Sequence, residues 1–180
     1  MLNLYENLGG NMPLVNSVNI PLCKPLQQQR KVGAVSNFVV DDFFGKGNSP
    51  DVIINASFNF ANTSFFELVE KDVPAGTLTV HKPIEDFPQM RRKVFDSPDE
   101  SYFTYAAHIW QLLCKQPNGE DGFLRPKKHN RFLIRNGKQP LEIDLIWTKE
   151  DGSWTKFDGW SVHIQTMPFN LIGSCYIFTP

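Results

Sequence analysis

The segment from Arg131 to Gln165 constrains the fold more than any other part of the chain. Arg-Phe-Leu-Ile-Arg leads into Asn136-Gly137, and Leu-Glu-Ile-Asp-Leu-Ile-Trp leads towards a second turn at Asp151-Gly152. Asn-Gly and Asp-Gly tolerate the left-handed backbone that tight hairpins need. Successive side chains of a strand fall on opposite faces of a sheet. Leu141, Ile143, Leu145 and Trp147 therefore share one face with Phe132 and Ile134. Glu142 and Asp144 share the other with Arg131, Leu133 and Arg135. On the return strand Phe157 is out of phase with Trp160, Val162 and Ile164. A bulge at Asp158-Gly159 restores the phase, and Ser161 and His163 then join the charged face.

Upstream, Ser97-Pro98-Asp99-Glu100 carries the pattern of a capping box with proline at the first helical position. It predicts one long capped helix over about 98–115, ending before Pro117-Asn118-Gly119. Phe103, Ala106, Ala107, Trp110, Leu113 and Cys114 form one apolar stripe, and Tyr102, Tyr105, Ile109 and Leu112 form a second. Ser101, Thr104, His108, Gln111 and Lys115 make the polar remainder. One sheet covers one stripe, so the second needs another layer, a pocket or a partner.

From Val32 to Lys82 the pattern is that of an antiparallel meander. Strands are expected at Val32–Val40, Val52–Phe60, Phe65–Glu70 and Thr77–His81, the last two joined across Pro74-Ala75-Gly76. A further strand is expected at 171–178. Residues 1–30 differ from the rest, with Pro13, Pro21 and Pro25 among scattered apolar residues. They read as an irregular N-terminal arm whose Leu14, Val18 and Ile20 need covering. The resulting expectation is an arm at 1–30 and a single α+β domain at 31–180, built on largely antiparallel sheet.

Composition removes several function classes. The 180 residues suit one domain that buries its own core without disulfides or metal. A formal net charge of −1 argues against nucleic acid or an anionic membrane surface. No apolar run is long enough to span a membrane. Cys23, Cys114 and Cys175 are far apart and without a Cys-x-x-Cys, which reads as thiols in a reducing, cytoplasmic setting. Gly45-Lys46-Gly47 is too short for a phosphate loop, and there is no Gly-x-Ser-x-Gly. No cofactor or metal is expected.

The face of Arg131, Arg135, Glu142, Asp144, Ser161 and His163 is the candidate ligand site. It is either a solvated sheet surface with cross-strand ion pairs or the lining of a polar cleft. The basic run Arg125, Lys127, Lys128, Arg131, Arg135 and Lys138 precedes five acids between Leu141 and Gly159, which neutralise it. Glu-Ile-Asp-Leu-Ile before a hairpin resembles the metal-binding strand of resolvase-like nucleases. That resemblance implies carboxylates holding a divalent cation and a lysine assisting water. Lys156-Phe157-Asp158-Gly159-Trp160 supplies an acid but not the lysine two residues later. A helix followed by a long terminal meander also resembles, in architecture, cone-shaped pocket proteins of the nuclear-transport-factor type.

Three function classes remain. The leading expectation is a non-catalytic, homo-oligomeric binding module for a small molecule or a protein partner. Its candidate interface is Leu14, Val18, Ile20, Tyr102, Tyr105 and Ile109. The second is an enzyme working through Arg131, Glu142, Asp144 and His163, with nuclease-like hydrolysis as its most concrete form. The third is a purely structural or interaction protein.

Overall fold

A computed structural model of the chain describes residues 23–45, 54–58, 63–83, 99–137, 140–148, 159–165 and 175–180. Its strands are β1 (Cys23–Val32), β2 (Val35–Val39), β3 (Ile54–Phe58), β4 (Val69–Val73), β5 (Gly76–Pro83), β6 (Phe103–Thr104), β7 (His129–Ile134), β8 (Leu141–Thr148), β9 (Gly159–Gln165) and β10 (Cys175–Thr179). The helices are a single turn α1 (Thr63–Phe66) and α2 (Ala106–Lys115). A π-helical turn spans Asp41–Gly45 and a 3-10 turn spans Glu100–Tyr102.

The main sheet runs β1-β5-β10-β7-β8-β9-β3, with β6 also paired to β7. The β7–β8–β9 ladder is antiparallel, with Arg131 opposite Asp144 and Asp144 opposite His163. Its first turn places Gly137 at φ 56°, a left-handed position that needs no side chain. The sheet is mixed rather than a simple meander. β10 lies between β5 and β7, antiparallel to the first and parallel to the second, and β3 lies parallel to β9. β6 continues the β7 edge where β10 stops, pairing Phe103 with Leu133 and Thr104 with Ile134.

The α+β expectation of one long capped helix over about 98–115 is overturned. The chain is dominated by strands, and α2 begins only at Ala106 and has ten residues. Ser97 and Pro98 lie outside the described residues. The Asp99 side chain accepts from Ser101 N at 2.9 Å, but it caps only the short 3-10 turn. Phe103 and Thr104 are then drawn into the sheet, because the β7 edge offers backbone partners that a continuing helix would leave unpaired.

What starts α2 is a residue far away in sequence. Glu70 on β4 accepts from Ala106 N at 2.8 Å and from Ala107 N at 2.9 Å. One carboxylate thereby satisfies two orphan amides and meets the positive end of the helix dipole. Burial pushes the Glu70 carboxyl upward, and the two amides oppose that shift.

The chain itself covers most of both apolar stripes of α2, with Ile109 and Leu112 of the second buried and Tyr105 37% exposed. Ala106, Ile109, Leu113 and Trp110 belong to one continuous core with Leu78, Val80, Phe132, Ile143, Val162 and Phe178 of the main sheet. The same core takes in Phe38, Phe44, Phe65 and Val73 around the small β2–β4 sheet. Phe44 meets Trp110 edge-on at 5.6 Å, and Phe43 lies 5.3 Å from the same indole. Even the polar stripe is engaged. Gln111 donates to Gly33 O at 3.0 Å and accepts from Gly33 N at 2.7 Å, and buried His108 hydrogen-bonds Pro74 O.

The small sheet also corrects the expected meander. Val32–Val40 is not one strand; it breaks at Gly33-Ala34 so that β1 enters the main sheet and β2 the small one. Phe65 and Phe66 are helical rather than extended. Residues 23–30 of the expected arm form part of β1, an outer strand of the main sheet. Leu14, Val18 and Ile20 lie outside the described residues. Among the described residues, no helix is long and apolar enough to cross a membrane.

The helix start depends on Glu70, so Glu70→Ala is expected to lower unfolding free energy by about 1–2 kcal/mol. Glu70→Gln, which keeps one acceptor, costs less. Denaturant midpoints of the three proteins measure this. An alanine variant indistinguishable from the parent would show that α2 starts without the carboxylate.

Candidate functional site

The face opposite the helix is where the charged residues converge. One row of paired positions crosses the whole main sheet: Pro25, His81, Ile177, Arg131, Asp144, His163 and Ser57. Glu142 and Ser161 lie on the same face, by alternation from Asp144 and His163. Five of the six candidate ligand residues thus come together. Arg135 does not; it lies exposed past the end of β7, paired with Glu100 and 5.1 Å over the Phe103 ring. The bulge expected at Asp158-Gly159 involves Asp158, which lies outside the described residues.

This face is interior. Arg131 is 1% exposed, Glu142 3% and Asp144 0%. The guanidinium Nη1 of Arg131 stands 3.2 Å from Glu142 Oε1. A pair so withdrawn from water pays a large desolvation cost, which only close geometry and further hydrogen bonds offset.

Beside it stands a second pair. His129 Nδ1 lies 2.7 Å from Asp144 Oδ2. The carboxylate is the acceptor, so Nδ1 carries the proton and donates it. Nε2 is left as the outward nitrogen of a ring that is 23% exposed. His163 faces Asp144 from the other side and is half-buried. Burial lowers the His163 pKa; the Asp144 carboxylate opposes this and the His129 ring adds to it. At neutral pH His163 is therefore an uncharged imidazole.

The flanks of the row are polar but inert. His81 Nε2 and Thr179 Oγ1 are 2.9 Å apart, and burial pushes the His81 imidazole down to about 4. Cys175 lies opposite His129 on β10. Burial drives its thiol up to about 11; nearby Arg131 lowers it, while Asp144 and Glu142 raise it further. Burial, with a contribution from Cys175, raises Cys23 to about 12. Both thiols stay protonated and are poor nucleophiles. Ser161 Oγ shares a hydrogen bond with Thr148 Oγ1 at 3.1 Å.

Among the described residues no three of His, Cys, Asp and Glu form a metal-holding group. Of the candidate interface, Tyr102 and Ile109 are buried within the chain, and Tyr105 is 37% exposed with its ring edge-on to His108.

Sequence reasoning left out two members of the site. His129 is an odd-numbered neighbour of Arg131, and the same alternation places it on the charged face once β7 is begun at His129 instead of Arg131. Cys175 had no such signal, because its position depends on β10 pairing parallel to β7. Comparison with family models, curated proteins and solved structures found no match.

A buried ion pair predicts an asymmetric response to mutation. Arg131→Met alone is expected to cost about 3–5 kcal/mol, because it strands the Glu142 charge. Combining it with Glu142→Leu is expected to recover most of that loss. Urea unfolding of both variants tests this; a single variant costing under about 1 kcal/mol would place the pair at the surface.

Proposed function

We propose that the chain is a non-catalytic binding module whose polar sheet face receives a small molecule or a group of a protein partner. The observation that carries this reading is the His129–Asp144 pair. A fully buried carboxylate is flanked by two imidazoles, of which His129 is 23% exposed. Such a seat offers directional hydrogen bonds in a low-dielectric setting, which favours recognition. The neighbouring thiols are held protonated, which weighs against nucleophilic catalysis by cysteine.

Self-association belongs to the same proposal. Its support rests on the apolar N-terminal arm, since Ile109 and Leu112 of the second stripe of α2 are buried in the chain's own core. Cytoplasmic residence belongs to it too, on the strength of the three free cysteines.

A second reading is a hydrolytic enzyme in which His129 acts as general base. The 2.7 Å contact to Asp144 favours it, because a carboxylate on Nδ1 fixes the tautomer that leaves Nε2 basic. In that case His129→Gln abolishes turnover while leaving the fold intact.

A thermal-shift screen of small polar molecules, with light scattering on the full-length protein, tests the leading reading. Saturable stabilisation is expected, about 2.7 kcal/mol at a ligand concentration 100 times Kd. It should be weakened by substitution of His163, and the scattering mass should exceed that of one chain. A broad panel without a single stabiliser would favour the purely structural alternative. A monomer across micromolar concentrations would reject self-association.

A further inference from the structure

The outer edge of the main sheet carries a line of cations. On β1, Lys24, Arg30 and Lys31 are exposed, and neither β1 nor β5 holds an acidic residue. Lys82 on β5 is exposed too and stands directly opposite Lys24. Two more cations reach β1 from elsewhere in the chain. Lys115, at the end of α2, donates from Nζ to Lys31 O at 3.2 Å. Arg125 donates from Nη2 to Gln28 Oε1, and its guanidinium lies 5.9 Å from the centre of the Tyr176 ring. From Lys24 to Lys31 the strand runs roughly 20 Å. Among the described residues none of these six side chains is in an ion pair.

The fold does not need this arrangement. Like charges directly opposite each other on a sheet repel, as Lys24 and Lys82 do. Lysine on an edge strand guards against stray pairing, which accounts for β1. It does not account for Lys82, on an inner strand, or for Arg125, which comes from a loop. That loop is firmly set. Buried Asn130 accepts from Arg125 N at 2.7 Å, and its Nδ2 faces the carbonyls of Arg125, Lys128 and Leu145 at 2.8 to 2.9 Å. Lys127 and Lys128 are left exposed on it. Of the five acids expected to neutralise this run, Glu142 and Asp144 face the interior with Arg131 and His129, and the other three lie outside the described residues. Glu120 and Asp121, earlier in the loop, are exposed, and Glu120 is held by Asn118 N and Nδ2. The formal net charge of −1 averages over the whole chain and hides this asymmetry.

We propose that this edge binds single-stranded nucleic acid through its phosphate backbone. The proposal stands apart from the polar-face reading and uses none of its residues. Cations strung along one strand match a linear polyanion, not one compact anion or a broad bilayer surface. A nucleic acid strand brings one charge per nucleotide, and neutralising several of them releases condensed counterions. Tyr176 and Gln28 position the Arg125 guanidinium before any ligand arrives, which lowers the ordering cost of a phosphate contact. Exposed Gln27, on the same strand, supplies an amide of the kind that contacts phosphate and sugar.

The test is fluorescence anisotropy of the full-length protein with labelled single-stranded oligothymidylate and oligouridylate. Poly-glutamate and vesicles of phosphatidylserine and phosphatidylcholine serve as rival polyanions. Both oligonucleotides are expected to bind with Kd below about 100 µM at about 50 mM salt, with a log–log salt slope of about −2 or steeper, equivalent to about three phosphates. Lys24→Glu is expected to weaken binding about fivefold and flatten the slope by about 1. Lys71→Glu makes the same charge change on β4 of the small sheet and is expected to stay within about twofold of the parent. Should Lys24→Glu fail to fold, Arg30→Glu takes its place. Equal weakening by Lys71→Glu would assign the effect to net charge and overturn the site. Tighter binding of poly-glutamate or vesicles than of either oligonucleotide would overturn nucleic acid as the partner. No binding of the oligonucleotides in this range would overturn the proposal outright.

Discussion

Two carboxylates and a guanidinium withdrawn from water on one face of a sheet are the constraint on which this structure turns. The other face already carries the helix and the apolar core. β7 and β8 are therefore buried on both sides, a situation more usual for the middle of parallel α/β sheets than for a hairpin. The topology answers this need. β10 runs parallel against β7 and brings Ile177 beside Arg131, while β9 brings His163 beside Asp144. With neighbours on both sides, the charges can be held in pairs close enough to offset their desolvation.

The helix obeys the same logic of long-range satisfaction. Glu70 caps α2 from β4, Gln111 holds the Gly33 backbone, and Trp160 Nε1 donates to Gln116 O just past the helix end at 2.7 Å. Gln116 in turn binds the loop through Glu120 O, Leu124 O and Leu124 N. α2 is short because its ends are set by partners elsewhere in the chain, and local capping signals were outweighed by the pairing of β6.

The strand pattern of the second half was legible because period-2 alternation and two hairpin turns leave little freedom of register. Arg131, Glu142, Asp144, Ser161 and His163 could be assigned to one face from that alone. Their burial could not, because alternating charge and apolar residues are the usual signature of a half-solvated sheet. β10, distant in sequence, sets Cys175 and Ile177 beside His129 and Arg131 on that face. The parallel pairings of β10 and β3 leave no local trace, which is why a meander was expected. The helix start departs from its local signal for a related reason. Ser97-Pro98-Asp99-Glu100 is a sound local start signal, yet the β7 edge claimed Phe103 and Thr104. Of the second apolar stripe, Ile109 and Leu112 are buried in the chain's own core and Tyr105 is 37% exposed, while Phe43 and Phe44 pack on Trp110 of the first stripe.

The central claim is that the polar face is an ordered interior in which Asp144 fixes the His129 ring. The most direct measurement is the side-chain tautomer of His129 from long-range proton–nitrogen NMR at neutral pH. The account predicts a proton held on Nδ1, protected from solvent exchange and lost as a fixed state in Asp144→Asn. A ring averaging between tautomers, or carrying its proton on Nε2 alone as free imidazoles favour, would contradict it.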